Sequence, residues 1–218
     1  MPSKVAGDYS QYPEPLRELF PYLCGEACDL RTSWSVYTRL FMSTPERTQV
    51  LGEQLGGLLG VFQNQLQDEM FIGIGRLFDR DRAGQKNLTF WTLVDCCRRW
   101  NPDFAKELHA AVTRLEASIR DIRVHRHKRL AHYDLSVSLE QAVLLAVTLG
   151  QLRTAIEGIE RLVNLVAKRA CNTTIVFDVL DHRDVTTKAE VCVAKARAFD
   201  ALIDQGVIER KELRGYVV

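Results

Sequence analysis

An all-helical fold is predicted by three observations on the sequence. Apolar residues recur every three or four positions over long stretches, from 46 to 78, from 104 to 122 and from 145 to 166, the spacing that lines up side chains on one face of an α-helix. Two of these stretches open on Thr44-Pro45 and Asn101-Pro102, a capping side chain followed by a proline whose missing N–H costs nothing in the first turn. The composition, 46% hydrophobic and 26% charged with only 13 Gly and 6 Pro, is that of an ordinary globular protein. At 218 residues the chain can hold one domain with a well-buried core and a small appendage. We expect an N-terminal arm over 1–28, an up-and-down helical bundle over 29–171 and a short, mostly helical C-terminal appendage over 172–218.

Each element has its own justification. Pro2, Pro13, Pro15 and Pro21 among scattered aromatics predict an irregular arm or a short helix. Trp34, Tyr37 and Phe41, with Leu40, predict an amphipathic helix from about Asp29 to Met42. Leu51, Leu55, Leu58, Phe62, Leu66, Met70, Ile74 and Leu77 draw one stripe along the next helix, 46–78. Glycines 52, 56, 57, 60, 73 and 75 weaken it by up to about 1 kcal/mol each, so close approach of a neighbouring helix is expected there. Asp79 to Lys86 reads as a polar loop, after which Asn87 or Thr89 caps a short helix through Trp91, Leu93 and Val94. Phe104, Leu108, Val112, Leu115, Ile119 and Ile122 form the next stripe, and its continuation lands on His125 or Arg126, then Arg129 or Leu130, then His132 or Tyr133. Cations on a line that was buried one turn earlier need partners.

Ser138 and Gln141 make a capping box for a last long helix, with a seam of Leu145, Leu149, Leu152, Ile156, Ile159, Val163 and Val166. That seam is either a dimer surface or an internal core face. Beyond Cys171-Asn172 the pattern breaks: Thr173 to Val179 could be extended, and Thr186 or Thr187 could cap a helix to about Gln205, ended by Gly206.

The same sequence excludes several function classes. A net charge of +1 gives no global pull toward polyanions, so such binding would depend on the basic cluster from Arg123 to Arg129. Residues 1–9 lack a charged segment followed by an apolar core, and no stretch reaches the ~18 apolar residues of a membrane span, so the cytoplasm is expected and no membrane partner. Six cysteines without a secretory signal read as reduced structural thiols. Cys24-x3-Cys28 lacks a second pair to complete a zinc site, and the 79–90 loop has Ala83 and Phe90 where a calcium loop needs oxygen ligands. Around His125, His127 and His132 no nearby acid or cysteine completes a convincing ligand set, so no metal or other cofactor is expected.

The chemistry-bearing segment is Asp121-Ile-Arg-Val-His-Arg-His-Lys-Arg-Leu-Ala-His-Tyr-Asp134. Within it, Arg126-His127-Lys128-Arg129-Leu130-Ala131-His132 resembles the Arg-x4-6-His signature of HEPN proteins, and Leu-Ala-His-Tyr-Asp resembles the abortive-infection AbiU-type branch. Gly75-Arg76-Leu77-Phe78-Asp79, a short loop and then Asn87-Leu88-Thr89 resemble the pattern upstream of the motif in that branch. The resemblance covers about residues 30–170 and departs at His127, where many members have Asn or Asp. It implies a helical bundle of HEPN type, a homodimer whose two motifs face one cleft, and RNA as substrate.

Metal-independent RNA cleavage needs a proton acceptor titrating near neutrality and a fixed cation over the developing phosphorane, roles that histidine and arginine fill. The resemblance assigns His132 as general acid or base, Arg126 as transition-state stabiliser and His127 as an orienting or second proton-transfer group. Arg123, Lys128 and Arg129 then fall to RNA phosphates, although for each of these a solvated helix end is the simpler account. On an ideal helix Arg126 and His132 stand about 120° apart, so the helix must bend near Ala131 or a partner subunit must contribute. Two functions remain: an endoribonuclease under control of an antitoxin or regulatory partner, and a non-catalytic dimerisation and nucleic-acid or nucleotide-binding module. By analogy alone, Tyr133 could be modified by a partner nucleotidyltransferase.

Overall fold

The computed structural model describes residues 8–42, 44–81, 86–131, 146–177 and 182–207, and among these every regular element is helical. In chain order they are α1 (Glu14–Arg17), α2 (Phe20–Phe41), α3 (Pro45–Arg76), α4 (Phe90–Trp100), α5 (Pro102–Ser118), α6 (Arg120–His125), a π-helical segment (Arg126–Ala131), α7 (Leu149–Cys171) and α8 (His182–Asp204). None of the described helices is long and apolar enough to cross a membrane. The chain divides into two compact units, one of residues 1–34 and 66–179, the other of 35–65 and 180–218.

The first unit is built on α5, whose stripe packs against α4 on one side and α7 on the other, while α1 lies against α4. Phe104, Leu108, Val112, Ile119 and Ile122 are buried, and the opposing seam of Leu152, Ile156, Ile159, Val163 and Val166 is buried with them. Each such side chain contributes about 1.5–3 kcal/mol by leaving water. The seam of the last bundle helix is therefore an internal core face, not a dimer surface. Gly158 lets α5 and α7 approach: a Cβ there would stand 2.5 Å from Leu115 Cδ1. Thr148 and Gln151 form the capping box of α7. The capping box expected at Ser138 and Gln141 lies outside the described residues, as does Leu145. α7 ends on Asn172 in the left-handed conformation, φ 50°.

Two ion pairs tie α2 into this unit. Arg31 donates from Nε and Nη2 to the two carboxylate oxygens of Glu160, both at 2.5 Å, and the buried Glu26 pairs with Arg76. α2 starts at Phe20, nine residues before the expected point, because Pro21 falls in its first turn, where proline is tolerated. Burial pushes the thiols of Cys24 and Cys97 up to about 12, and all six cysteines are free. The stretch after α7 forms no strand among the described residues; instead Asn164 accepts from Ile175 N–H and donates to its carbonyl.

The second unit combines the end of α2, the first two thirds of α3 and α8. Tyr37, Leu51 and Val193 are buried there, with a hydrogen bond from Gln63 to the Tyr37 hydroxyl and an ion pair between Arg197 and Glu53. Leu58 and Phe62 are about half exposed, and nothing lies within 4 Å of a Cβ built on Gly52, Gly56, Gly57 or Gly60. The stripe on α3 is thus buried as expected at Met70, Ile74 and Leu77 but uncovered in its middle. Close packing occurs at two of the six glycines, Gly73 and Gly75. α8 begins at His182, four residues before the expected caps, and Gly206, with φ 73°, ends it by closing hydrogen bonds from Gly206 and Val207 back to Ile203 and Leu202.

Candidate functional site

Two segments of the first unit, some fifty residues apart in sequence, build the site. One is the end of α3. There Leu77 and Phe78 are fully buried, Phe78 meets Phe90 at 5.3 Å, and Phe90 N–H donates to the Leu77 carbonyl at 2.9 Å. Thr89 caps α4 by accepting from Thr92 N–H, and the Thr92 hydroxyl donates to the Asn87 carbonyl. Asn87 in turn reaches back to Asp81 and to the Arg80 carbonyl. These bonds pin the turn that carries Asp79, which itself donates its N–H to the Arg76 carbonyl. The Asp79–Asn87–Thr89 pattern read from sequence is, in space, the clamp that joins α3 to α4.

The other segment is the helix running from α5 into the motif. Regular α-helix breaks first at Ile119 (φ −99°, ψ 14°) and gives way to the π-helical segment at Arg126. The π-helical segment thus starts five residues before the expected bend at Ala131, and the first break, at Ile119, comes earlier still. A physical reason is visible: the consecutive residues His125 and Arg126 both face α3. His125 is buried with its ring stacked 4.6 Å from that of Phe71, and Arg126 lies across Gly75, one turn further along α3. A π-turn, with its i→i+5 bonding, rotates less per residue than the about 100° of an α-helix and keeps both side chains on that side.

Arg126 Nη1 donates to Asp79 Oδ1 at 2.8 Å, and both side chains are mostly shielded, at 25% and 34% exposure. The guanidinium runs over the bare Cα of Gly75, where a methyl group would overlap Arg126 Cδ and stand 3.1 Å from Nη1. A second carboxylate, Glu116, accepts from Arg123 Nη1 at 2.5 Å and from Arg80 Nη2 at 3.4 Å. Arg80 is itself stacked 3.5 Å over the Trp91 ring. Asp121, on the same helix as Arg123, accepts from Gln151 and anchors α6 to the start of α7.

Between these groups opens a cavity of about 580 Å³, lined by Arg120, Arg123, Arg126, Lys128 and His127 together with Asp79 and Glu116. Four cationic side chains against two carboxylates leave the lining net positive, although Arg126 and Arg123 are paired with Asp79 and Glu116, and a forked arginine is a group able to meet a phosphate. Of the residues singled out by sequence, the structure brings together Arg123, Arg126, His127 and Lys128. The backbone of Arg129 continues the π-helical segment, while His132 and Tyr133 lie outside the described residues. Sequence reasoning missed Glu116, Arg120 and the partnership of Asp79 with Arg126. Glu116 was detectable, since Arg120 and Arg123 follow it at four and seven residues on one helical face. Among the described residues no cluster of His, Cys, Asp and Glu could hold a metal ion.

Comparison with known proteins adds one finding. No match to the chain exists among the curated proteins or the solved structures compared with it. The family model HEPN_AbiU2, described as AbiU2, matches residues 13–187, a span that includes the clamp after α3 and the whole Arg/His motif. The chain therefore belongs to the AbiU2 family of HEPN proteins.

Proposed function

We propose that the chain is a metal-independent endoribonuclease of the defence or toxin type, working as a homodimer in which two Arg/His motifs share a cleft. The observation that carries this reading is the seating of Arg126 at a basic cavity, where among the described residues Asp79 takes one of its N–H donors and the fork borders the space a phosphate would fill. In this reading the RNA 2′-hydroxyl attacks the adjacent phosphorus. His132 takes or returns the proton, Arg126 holds the charge that grows on the non-bridging oxygens, and His127 orients or relays. Arg123, Lys128 and Arg129 meet neighbouring phosphates, which places RNA without reading its sequence.

The test is incubation of mixed cellular RNA with the purified protein in EDTA, beside Arg126→Ala and His132→Ala. Cleavage by the parent that falls at least about 100-fold in both variants is the expected outcome. RNA bound and released by salt without any cleavage would replace this reading with that of a binding module.

A further inference from the structure

Arg126 sits in a socket made by a segment that the motif itself does not contain. Gly75 provides the floor, because only a residue without a Cβ leaves room for the arginine's Cδ, and Asp79, one turn further on, provides the wall by accepting from Nη1 at 2.8 Å. The socket is rigid on its own side: Ile74, Leu77 and Phe78 are fully buried, and the turn is tied to α4 through Phe90 and Leu77. An arginine on a long flexible stem loses entropy when it fixes a phosphate, and a site that has already fixed it supplies that ordering before substrate arrives.

We infer that Gly75 and Asp79 are positioning residues for Arg126, aiming its remaining donors into the cavity at a phosphate oxygen; this rests on the reading of Arg126 as the group that meets phosphate. Neither residue touches the ligand. Among the described residues Asp79 is the acceptor for one of the five guanidinium N–H donors, which sets the plane of the fork and so the direction of Nε and Nη2 toward the anion. Gly75 sets how deep the stem lies, so a single methyl group there pushes the fork outward without altering any charge.

Gly73 supplies a matched control. It stands on the same helix two residues earlier, and a Cβ there would meet Leu30 Cδ2 at 2.9 Å instead of Arg126. Gly73→Ala and Gly75→Ala therefore both crowd a neighbour of the same helix, the second more closely, and only the second reaches the arginine. The experiment measures kcat and KM on a short RNA in EDTA for the parent, Gly73→Ala, Gly75→Ala, Asp79→Ala and Asp79→Asn, with thermal midpoints for all. In parallel, inorganic phosphate is titrated against the Nε–Hε resonance of Arg126 by nitrogen-15 NMR.

The expected result is a drop in kcat of about 30-fold in Gly75→Ala and Asp79→Ala with KM within about twofold, as misplacement by less than 1 Å would cause. Asp79→Asn, which keeps an oxygen acceptor, recovers part of the loss, and Gly73→Ala keeps the parent kcat. Parent-like kcat in Gly75→Ala and Asp79→Ala, or a loss no greater than in Gly73→Ala, overturns the socket. Should the parent leave RNA intact, the nuclease reading fails and the phosphate titration decides. A phosphate-dependent Arg126 signal that persists in Gly73→Ala and disappears in Gly75→Ala and Asp79→Ala upholds the socket; an equal response in all variants, or none in the parent, refutes it.

Discussion

Arg31→Ala should destabilise the first unit by about 2–3 kcal/mol, and the estimate follows from the geometry of one ion pair. Arg31 and Glu160 meet through two parallel bonds at 2.5 Å, with side chains 21% and 15% exposed. Breaking a fully buried pair from one side costs about 3–5 kcal/mol, and an exposed pair is worth about 0.2–1 kcal/mol. This pair lies nearer the first limit because little water reaches it, and it joins helices α2 and α7, which are 129 residues apart at this contact. For a chain of this length each kcal/mol moves the thermal midpoint by about 2–4 °C, so circular dichroism should record a fall of about 5–10 °C. Arg31→Lys keeps the charge but loses the fork, and should cost about half as much. The decisive figure is the coupling from a cycle with Glu160→Ala, expected above about 1 kcal/mol. Coupling below about 0.3 kcal/mol would show that the two side chains act independently and would refute the reasoning.

Gly158→Ala should cost about 1–3 kcal/mol, because its Cβ would stand 2.5 Å from Leu115 Cδ1, and the cost should shrink in a Leu115→Ala background; equal urea midpoints for parent and Gly158→Ala would contradict this. Asp29 titrates above its ordinary 3.8, first because of burial and then because of Glu26 and Glu69. The folded state thus binds that proton more tightly than the unfolded one, and stability is lost as pH rises from 3.8 through the folded value. Asp29→Asn should therefore raise the urea midpoint at pH 7 and give little gain near pH 3, and a gain of equal size at both would count against it. Brief alkylation of the native protein followed by mass spectrometry should label the exposed Cys192 and spare Cys24 and Cys97, whose buried thiols resist ionisation.

The helices were legible because periodicity and caps are local: Thr89 and Asn101 cap where the sequence places them, and the stripes on α5 and α7 are buried along most of their length. What a stripe cannot encode is whether anything covers it, which is why Leu58 and Phe62 are exposed on a helix that carries Met70 and Ile74 into the core near its far end. The same limit applies to glycines. Gly52 and Gly75 look alike in sequence, and only the fold brings an arginine over one of them. At the site, Arg126 was marked by its motif, and Asp79 by a second one. That the two form an ion pair across 47 residues of chain is a fact of tertiary structure, with no local signal.

The wide turn from Arg126 to Ala131 also bears on how chain length is read. A π-turn holds one residue more than the α-turn it replaces, so along this segment the count of residues is uncoupled from the advance of the helix. In a regular helix an inserted or deleted residue rotates everything after it by about 100° and turns a buried face outward. Here such a change can be taken up by widening or narrowing one turn while the arginine stays where α3 holds it. The segment from Arg126 to Ala131 is thus where this chain takes up a one-residue insertion or deletion at least cost.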